Sequence, residues 1–93
     1  IDNELRFSHY RDKDQLEVDL VLEQGDRLWG VEIKKAASVQ SKDGRGLARL
    51  AGQADSSWQG GILLYTGTST LPLAHTPNTF AVPMDQLWKK DTP

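Results

Sequence analysis

Two runs of alternating apolar and polar side chains flank the dipeptide Gly25-Asp26, and this feature constrains the fold most strongly. Alternation with a period of two is typical of β-strands. A glycine at the first central position of a two-residue loop favours a type II′ turn, which fixes how the strands pair. The resulting register places Val18, Leu20 and Leu22 opposite Ile33, Val31 and Trp29, respectively. The apolar faces match, so the sequence predicts a β-hairpin over residues 15–35.

Other patterns predict the remaining elements. Leu47, Leu50, Ala51, Ala54 and Trp58 recur at helical spacing, and Asp43 lies in the first turn, where the helix dipole favours an acid. The apolar run over residues 62–65 is typical of a central strand buried on both faces. In chain order, we expect strands 5–11, 15–23 and 27–35, a helix 42–57, strands 62–65 and 79–82, and a helical turn through Leu87 and Trp88. Residues 67–78 predict a loop. The chain is thus predicted to be one α/β domain over residues 1–93, of order β-β-β-α-β-β with a short terminal helical turn.

Composition excludes several classes of protein. The chain has no cysteine, which excludes a disulfide framework and a thiolate zinc site and fits a cytoplasmic location. No run approaches the roughly 20 apolar residues of a membrane span, so we expect no membrane contact. The net charge of −2 means that contact with DNA would need a local basic patch.

Acidic side chains gather on the polar face of the predicted hairpin. The register places Asp19 opposite Glu32 and Glu17 opposite Lys34. Two directly opposed carboxylates repel each other unless a cation lies between them, and Mg²⁺ is suited to such a pair because it takes one or two carboxylates and several waters. Gly30 would let a substrate approach this point. The alternative is an ordinary solvated hairpin face with a Glu17–Lys34 ion pair.

The residues around this hairpin resemble a known signature. Glu17-Val18-Asp19, followed by a short hairpin and Val31-Glu32-Ile33-Lys34, is similar to the core of the PD-(D/E)XK nuclease superfamily, with its restriction-endonuclease-like mixed β-sheet. The resemblance is closest to the domain at the carboxy end of predicted bacterial and archaeal AAA-type ATPases. Its other elements are Tyr10-Arg11-Asp12, Gly46-Leu47, Leu64-Tyr65-Thr66-Gly67 and Leu87-Trp88.

The resemblance implies a role for each residue of the signature. Asp19, Glu32 and the main-chain carbonyl of Ile33 would hold one or two Mg²⁺ or Mn²⁺ ions. Lys34 would orient the attacking water or stabilise charge on the phosphate. The metal would lower the pKa of its bound water and polarise the phosphoryl oxygen. The implied reaction is hydrolysis of a phosphodiester bond in DNA, and the implied partners are DNA and the rest of an ATPase chain.

The chain also departs from the superfamily pattern. The superfamily's first acidic residue comes from a helix before the first strand, for which this chain has no room, so Glu17 would be an accessory carboxylate. Val18 stands where the signature has proline. No phosphate-binding Gly-x-x-x-x-Gly-Lys-Ser/Thr pattern occurs, so the nucleotide-hydrolysing part would lie outside the chain. Because the chain begins at Ile1 rather than Met, we expect a fragment of a longer protein. The resemblance implies that this longer protein is an ATPase and that the fragment is its carboxy-terminal part.

Basic residues follow the hairpin along the chain. They are Lys35, Lys42, Arg45 and Arg49, the last three at helical spacing. Such a stripe beside a metal site would contact phosphates, and the alternative is a solvated helix face.

The sequence leaves two hypotheses about the function of the domain. One is a metal-dependent deoxyribonuclease domain, and the other is a catalytically inactive interaction or DNA-binding module of the same fold.

Overall fold

The computed structural model describes residues 4–87, which form a six-stranded mixed β-sheet with one α-helix. The strands are β1 (Leu5–Arg11), β2 (Glu17–Gln24), β3 (Arg27–Ile33), β4 (Trp58–Tyr65), β5 (Leu71–Pro72) and β6 (Thr79–Pro83). The helix α1 covers Arg45–Ala54, and short 3₁₀ turns cover Ser41–Gly44, Asp55–Ser57 and Met84–Leu87. No helix in the described part of the chain has the length and apolar character needed to cross a membrane.

The strand order in the sheet is β1-β2-β3-β4-β6-β5. Strands β1, β2 and β3 form an antiparallel meander, and β3, β4 and β6 run parallel. Helix α1 makes the crossover from β3 to β4. The predicted mixed α/β class is confirmed, but the predicted element order lacked β5, because a two-residue strand within a loop rich in Gly, Thr and Ser gives no periodic signal. The predicted terminal turn is present over Met84–Leu87, and Trp88 lies outside the described residues.

The hairpin has the predicted register. Leu20 pairs with Val31, Leu22 with Trp29 and Gln24 with Arg27. Gly25 has a φ of 61°, as the first central position of a type II′ turn requires.

Strand β2 contains a β-bulge that changes which side chains face the helix. Ser8 of β1 pairs with Val21, but Tyr10 pairs with Val18, so two residues of β2 lie opposite one residue of β1. The extra residue brings Val18 onto the same face as Val21, and both are buried in the core. The prediction that Val18 shares a face with Leu20 and Leu22 is therefore wrong. Strict alternation across β2 cannot accommodate an inserted residue.

The core lies between the sheet and α1. Its buried members are Val18, Val21, Leu47, Leu50, Ala51, Trp58, Leu63, Tyr65 and Ala81. Trp58 begins β4 instead of extending the apolar stripe of the helix, because the α-helix ends at Ala54. A Cβ atom on Gly30 would lie 2.7 Å from Cδ2 of Leu47. Gly30 therefore makes room for helix α1, and the prediction that it opens the sheet to substrate is wrong.

Candidate functional site

The two carboxylates singled out by the sequence meet where the hairpin opens. The β2–β3 ladder ends at Leu20 and Val31, one pair short of the predicted Asp19–Glu32 pair. Beyond that point, carboxylate oxygens of the side chains accept backbone N–H groups, as backbone carbonyls do within the ladder. The backbone N–H of Asp19 donates to Oε1 of Glu32 at 3.1 Å, and the N–H of Ile33 donates to Oδ2 of Asp19 at 2.8 Å. Each carboxylate thus accepts a hydrogen bond from the opposite strand.

Glu32 has a strongly perturbed acidity. Burial raises the pKa of Glu32 to about 8, helped by a hydrogen bond with the Asp19 side chain and by repulsion from Asp19 and Glu17. Desolvation and a neighbouring negative charge both disfavour the ionised form of a carboxyl group. At neutral pH, Glu32 is therefore mainly protonated. A divalent cation that bound here would compete with this proton for the carboxyl oxygens of Glu32.

The donor set suits a hard cation that keeps water ligands. Within residues 4–87, no group of three or more His, Cys, Asp or Glu side chains converges in a way that could enclose a metal. The site instead offers the carboxylate oxygens of Asp19 and Glu32. The carbonyl of Ile33 points toward Asp19, because the N–H and C=O of one strand residue face the same neighbouring strand. Two carboxylates and a carbonyl fit Mg²⁺ or Mn²⁺, which fill their remaining positions with water.

Glu17 does not face Lys34 as predicted. Its Oε1 lies 3.5 Å from Nε2 of His9 and 3.9 Å from Nε of Arg11, both on β1. The predicted Glu17–Lys34 neighbours are separated because the ladder between β2 and β3 ends at Leu20. Glu17 therefore contacts side chains of the edge strand, although its charge still contributes to the raised pKa of Glu32.

Lys34 forms an ion pair with Asp43, a partner that the sequence did not reveal. The ammonium Nζ donates to Oδ2 of Asp43, and the side chains are only 22% and 15% exposed, respectively. The same Oδ2 accepts the backbone N–H of Gln40 at 2.7 Å. The pKa of Asp43 is lowered, first by the hydrogen bond from Lys34, while burial acts in the opposite direction.

A capping motif in the sequence could have identified Asp43. Gln40 and Asp43 form a capping box around the 3₁₀ turn Ser41–Gly44, with each residue bonded to the backbone of the other. The predicted role of Asp43 was limited to the helix dipole. The spacing Gln-x-x-Asp at the start of a helical segment could have indicated this cap, whereas no local pattern indicates that the capping acid also pairs with Lys34.

Close backbone packing fixes the start of α1 beside the site. A Cβ atom on Gly46 would lie 2.0 Å from the carbonyl oxygen of Glu17, so only glycine lets the first turn of the helix rest on β2 at this point. Two ion pairs anchor the helix farther along, since Nη1 of Arg49 lies 2.5 Å from Asp12 and 2.9 Å from Asp14. The helix is thereby attached to the backbone next to Asp19.

The predicted phosphate contacts divide into two groups. Lys35, Lys42 and Arg45 are exposed, so their contact with phosphates stays a prediction. Arg49 instead forms the ion pairs with Asp12 and Asp14 that join α1 to the β1–β2 turn. The helical spacing of these cations did not distinguish exposed from paired side chains.

Nearly the whole chain matches the model of one protein family. The family model described as "Domain of unknown function (DUF4143)" matches residues 2–87. The chain belongs to the DUF4143 family. The matched region of DUF4143 contains the hairpin, the Lys34–Asp43 ion pair and α1. Neither the curated proteins nor the solved structures include a match to this DUF4143 chain.

Proposed function

We propose that this domain is a metal-dependent nuclease of the PD-(D/E)XK type that hydrolyses phosphodiester bonds in DNA. The observation that carries the proposal is the meeting of Asp19 and Glu32 at the open end of the hairpin, beside the Ile33 carbonyl. Burial first, and then the hydrogen bond with Asp19 and the repulsion from it, raise the pKa of Glu32, so a cation bound between the two carboxylates would relieve this repulsion. In this proposal the sheet is restriction-endonuclease-like, and the domain lies at the carboxy end of a cytoplasmic AAA-type ATPase.

The chemistry would be divided between the metal and the chain. A Mg²⁺ or Mn²⁺ ion would supply a water of lowered pKa and polarise the phosphoryl oxygen. Asp19 and Glu32 would hold the ion, and Glu32 would give up its proton when the ion binds. Lys34, which forms an ion pair with Asp43, would orient the attacking water or stabilise the charge that develops on the phosphate.

The exposed cations provide a path for the DNA backbone. Lys35 follows Lys34 directly, and Lys42 and Arg45 lie at the start of the helical segment that carries Asp43. Contacts of this kind are largely independent of sequence, and each one contributes to the salt dependence of binding. Replacement of Lys42 and Arg45 by alanine is therefore expected to weaken DNA binding and reduce its salt dependence, and to leave metal binding unchanged.

Calorimetric titration of Mn²⁺ tests the metal site directly. We expect saturable binding that is lost in Asp19→Asn and retained in Asp26→Asn, which changes an exposed carboxylate in the hairpin turn. Cleavage of supercoiled DNA in Mg²⁺ should then be lost in Asp19→Asn and Lys34→Ala. Absence of Mn²⁺ binding in the folded wild-type protein would contradict the proposal, as would cleavage that persists in Asp19→Asn.

A catalytically inactive module of the same fold is the second candidate. It is favoured by the lack of a three-acid cluster in residues 4–87 and by the engagement of Lys34 with Asp43. This candidate predicts a folded domain that binds DNA or a protein partner and does not cleave DNA in Mg²⁺ or Mn²⁺. The cleavage assay above separates the two candidates.

A further inference from the structure

A loop rich in hydroxyl groups follows β4 at the edge of the sheet that carries the candidate site. Its sequence is Thr66-Gly67-Thr68-Ser69-Thr70, and its threonine and serine residues are all exposed. Strands β3 and β4 are parallel neighbours, so their carboxyl ends lie at the same edge of the sheet, the position at which α/β sheets commonly bind ligands. Lys34 and Lys35 follow β3 at this edge. We call residues 66–70 the hydroxyl loop.

Hydrogen bonds attach the hydroxyl loop to the lysine-bearing segment that follows β3. The N–H of Lys34 donates to the carbonyl of Leu64 at 2.8 Å, and the N–H of Thr66 donates to the carbonyl of Ala36 at 3.0 Å. Lys35 lies between the two bonded residues of its own segment, and its side chain is exposed. The cation of Lys35 and the hydroxyl groups therefore belong to adjacent segments at one edge of the sheet.

Tyr65 holds the hydroxyl loop in one shape. This residue is only 3% exposed, and its hydroxyl group donates to the carbonyl of Ser69 and accepts the N–H of Ser69 at 3.3 Å. A Cβ atom on Gly67 would overlap the Tyr65 ring and lie 2.7 Å from the carbonyl oxygen of Ala37, so glycine is required where the loop passes between them. A loop that is already ordered loses little conformational entropy when it binds a ligand.

The hydroxyl loop offers hydrogen-bond donors and no acidic side chain. Within residues 4–87, the N–H groups of Gly67 and Thr68 and the hydroxyl groups of Thr68 and Ser69 donate to no other protein group. No Asp or Glu occurs in the sequence between Asp55 and Asp85. Hydroxyl groups, backbone N–H groups and lysine are the groups that commonly contact the phosphates of DNA. The donors and the neighbouring lysine thus suit an anionic ligand with several acceptor oxygens.

The spacing of the strands places the hydroxyl loop close to the proposed metal site. Neighbouring strands lie about 4.8 Å apart, so β4 is about 7 Å from the midline of β2 and β3, where Asp19 and Glu32 meet. One strand of duplex DNA carries a phosphate about every 3.4 Å along the helix axis. A DNA strand that crosses this edge from the metal site therefore reaches the hydroxyl loop about two phosphates further along.

We propose that the hydroxyl loop binds a backbone phosphate of DNA, about two nucleotides from the bond that the metal site would cleave. Thr68 and Ser69 donate to the phosphate oxygens, and Lys35 supplies a positive charge beside them. The inference rests on the proposed function, because that function supplies DNA as the ligand. It gives the loop a role in DNA affinity and positioning, and no role in the chemical step.

Fluorescence anisotropy with labelled duplex DNA measures this contact, and EDTA in the buffer prevents metal-dependent cleavage. The variant Thr68→Val/Ser69→Ala removes two hydroxyl groups and changes the side-chain volumes little. We expect its Kd to rise about tenfold, a factor that hydrogen bonds to a charged group readily account for. The slope of log Kd against log salt should stay unchanged, because neutral groups release no counterions, whereas Lys35→Ala should reduce that slope by about one.

Ser56→Ala is the matched control. Ser56 is an exposed hydroxyl residue in the turn before β4, at the opposite end of that strand, so its variant should bind DNA like the wild type. The loss of affinity in Thr68→Val/Ser69→Ala should be equal on A·T-rich and G·C-rich duplexes, because phosphate contacts carry no sequence information. Circular dichroism should show that all variants are folded.

Wild-type affinity in Thr68→Val/Ser69→Ala would overturn the inference, even if the wild-type protein cleaves DNA. An equal loss in Ser56→Ala would overturn it too, as would a loss confined to one duplex, which indicates contact with a base. A wild-type protein that fails to bind DNA in about 50 mM salt would also overturn it. Failure of the proposed nuclease activity alone gives a different result: the loop variant still loses affinity, and the wild-type protein does not cleave DNA in Mg²⁺.

Discussion

Asp19 and Glu32 are bound to each other's strands as well as facing each other. The Glu32 carboxyl group accepts the N–H of Asp19, and the Asp19 carboxylate accepts the N–H of Ile33. These side chains replace ladder hydrogen bonds at the point where β2 bulges. The pair therefore has a structural role that persists without metal, and a variant that removes a charge should keep an oxygen acceptor. Asn and Gln satisfy that condition, whereas Ala leaves a backbone donor without its partner.

The first prediction concerns the pH dependence of stability without metal. The pKa of Glu32 is about 8 in the folded protein and near 4.5 when unperturbed. Between these values the folded state binds the proton more tightly than the unfolded state. The contribution of Glu32 to the free energy of unfolding is therefore fully present below pH 4.5 and is lost as the pH rises toward 8. Urea unfolding in EDTA should show stability falling over this window. In Glu32→Gln, the free energy of unfolding should depend less on pH over this window. Parallel pH profiles for the wild type and Glu32→Gln would contradict the prediction. Asp43, whose pKa is lowered, loses its contribution only at lower pH.

The second prediction is that metal binding displaces the Glu32 proton. The apparent affinity for Mn²⁺ should rise with pH up to about 8, by up to about tenfold per unit while Glu32 is mainly protonated. Calorimetry in two buffers of different ionisation enthalpy should show close to one proton released per ion bound near pH 6.5. Binding without proton release would mean that the ion does not use the Glu32 carboxylate.

The third prediction separates the two functions of Asp43. Asp43→Ala removes both the cap on the Gln40 N–H and the partner of Lys34, and should lower the free energy of unfolding by about 1–2 kcal/mol. Asp43→Asn keeps an acceptor for Gln40 but removes the negative charge, so it should recover most of that stability. Chemical denaturation of the two variants measures the difference. Equal destabilisation by Ala and Asn would show that the cap contributes little.

The same pair of variants reports on the proposed reaction. If Lys34 acts in cleavage, Asp43→Asn should reduce DNA cleavage although the protein stays folded and binds Mn²⁺ like the wild type. A fully active Asp43→Asn variant would show that Lys34 does not need its partner.

The sequence predicted the hairpin more completely than the site around it. The register of Leu20 with Val31 follows from alternation and from one glycine in the turn, both of which are local signals. The bulge that moves Val18 into the core depends on packing against α1 and on pairing with β1, which no local pattern records. For the same reason the partner of Lys34 was missed, since Asp43 lies across a loop from the strand. Gly30 was predicted to admit a substrate because no local pattern shows that α1 packs over it.

The last prediction tests whether α1 must rest directly on β2. Gly46→Ala would place a Cβ atom 2.0 Å from the carbonyl oxygen of Glu17, and backbone atoms cannot move aside as a flexible side chain can. We expect the helix to shift and the free energy of unfolding to fall by about 3 kcal/mol, at the upper end of overpacking costs. Gly52→Ala is the matched control, because a Cβ atom there meets nothing within 4 Å in the same helix. That variant should be stabilised by up to about 1 kcal/mol. Thermal or urea unfolding compares them, and similar stabilities would mean that the start of α1 adapts to the extra methyl group. Because the helix contacts β2 at Glu17, two residues before Asp19, a shifted helix in Gly46→Ala should also weaken Mn²⁺ binding, whereas Gly52→Ala should leave it unchanged.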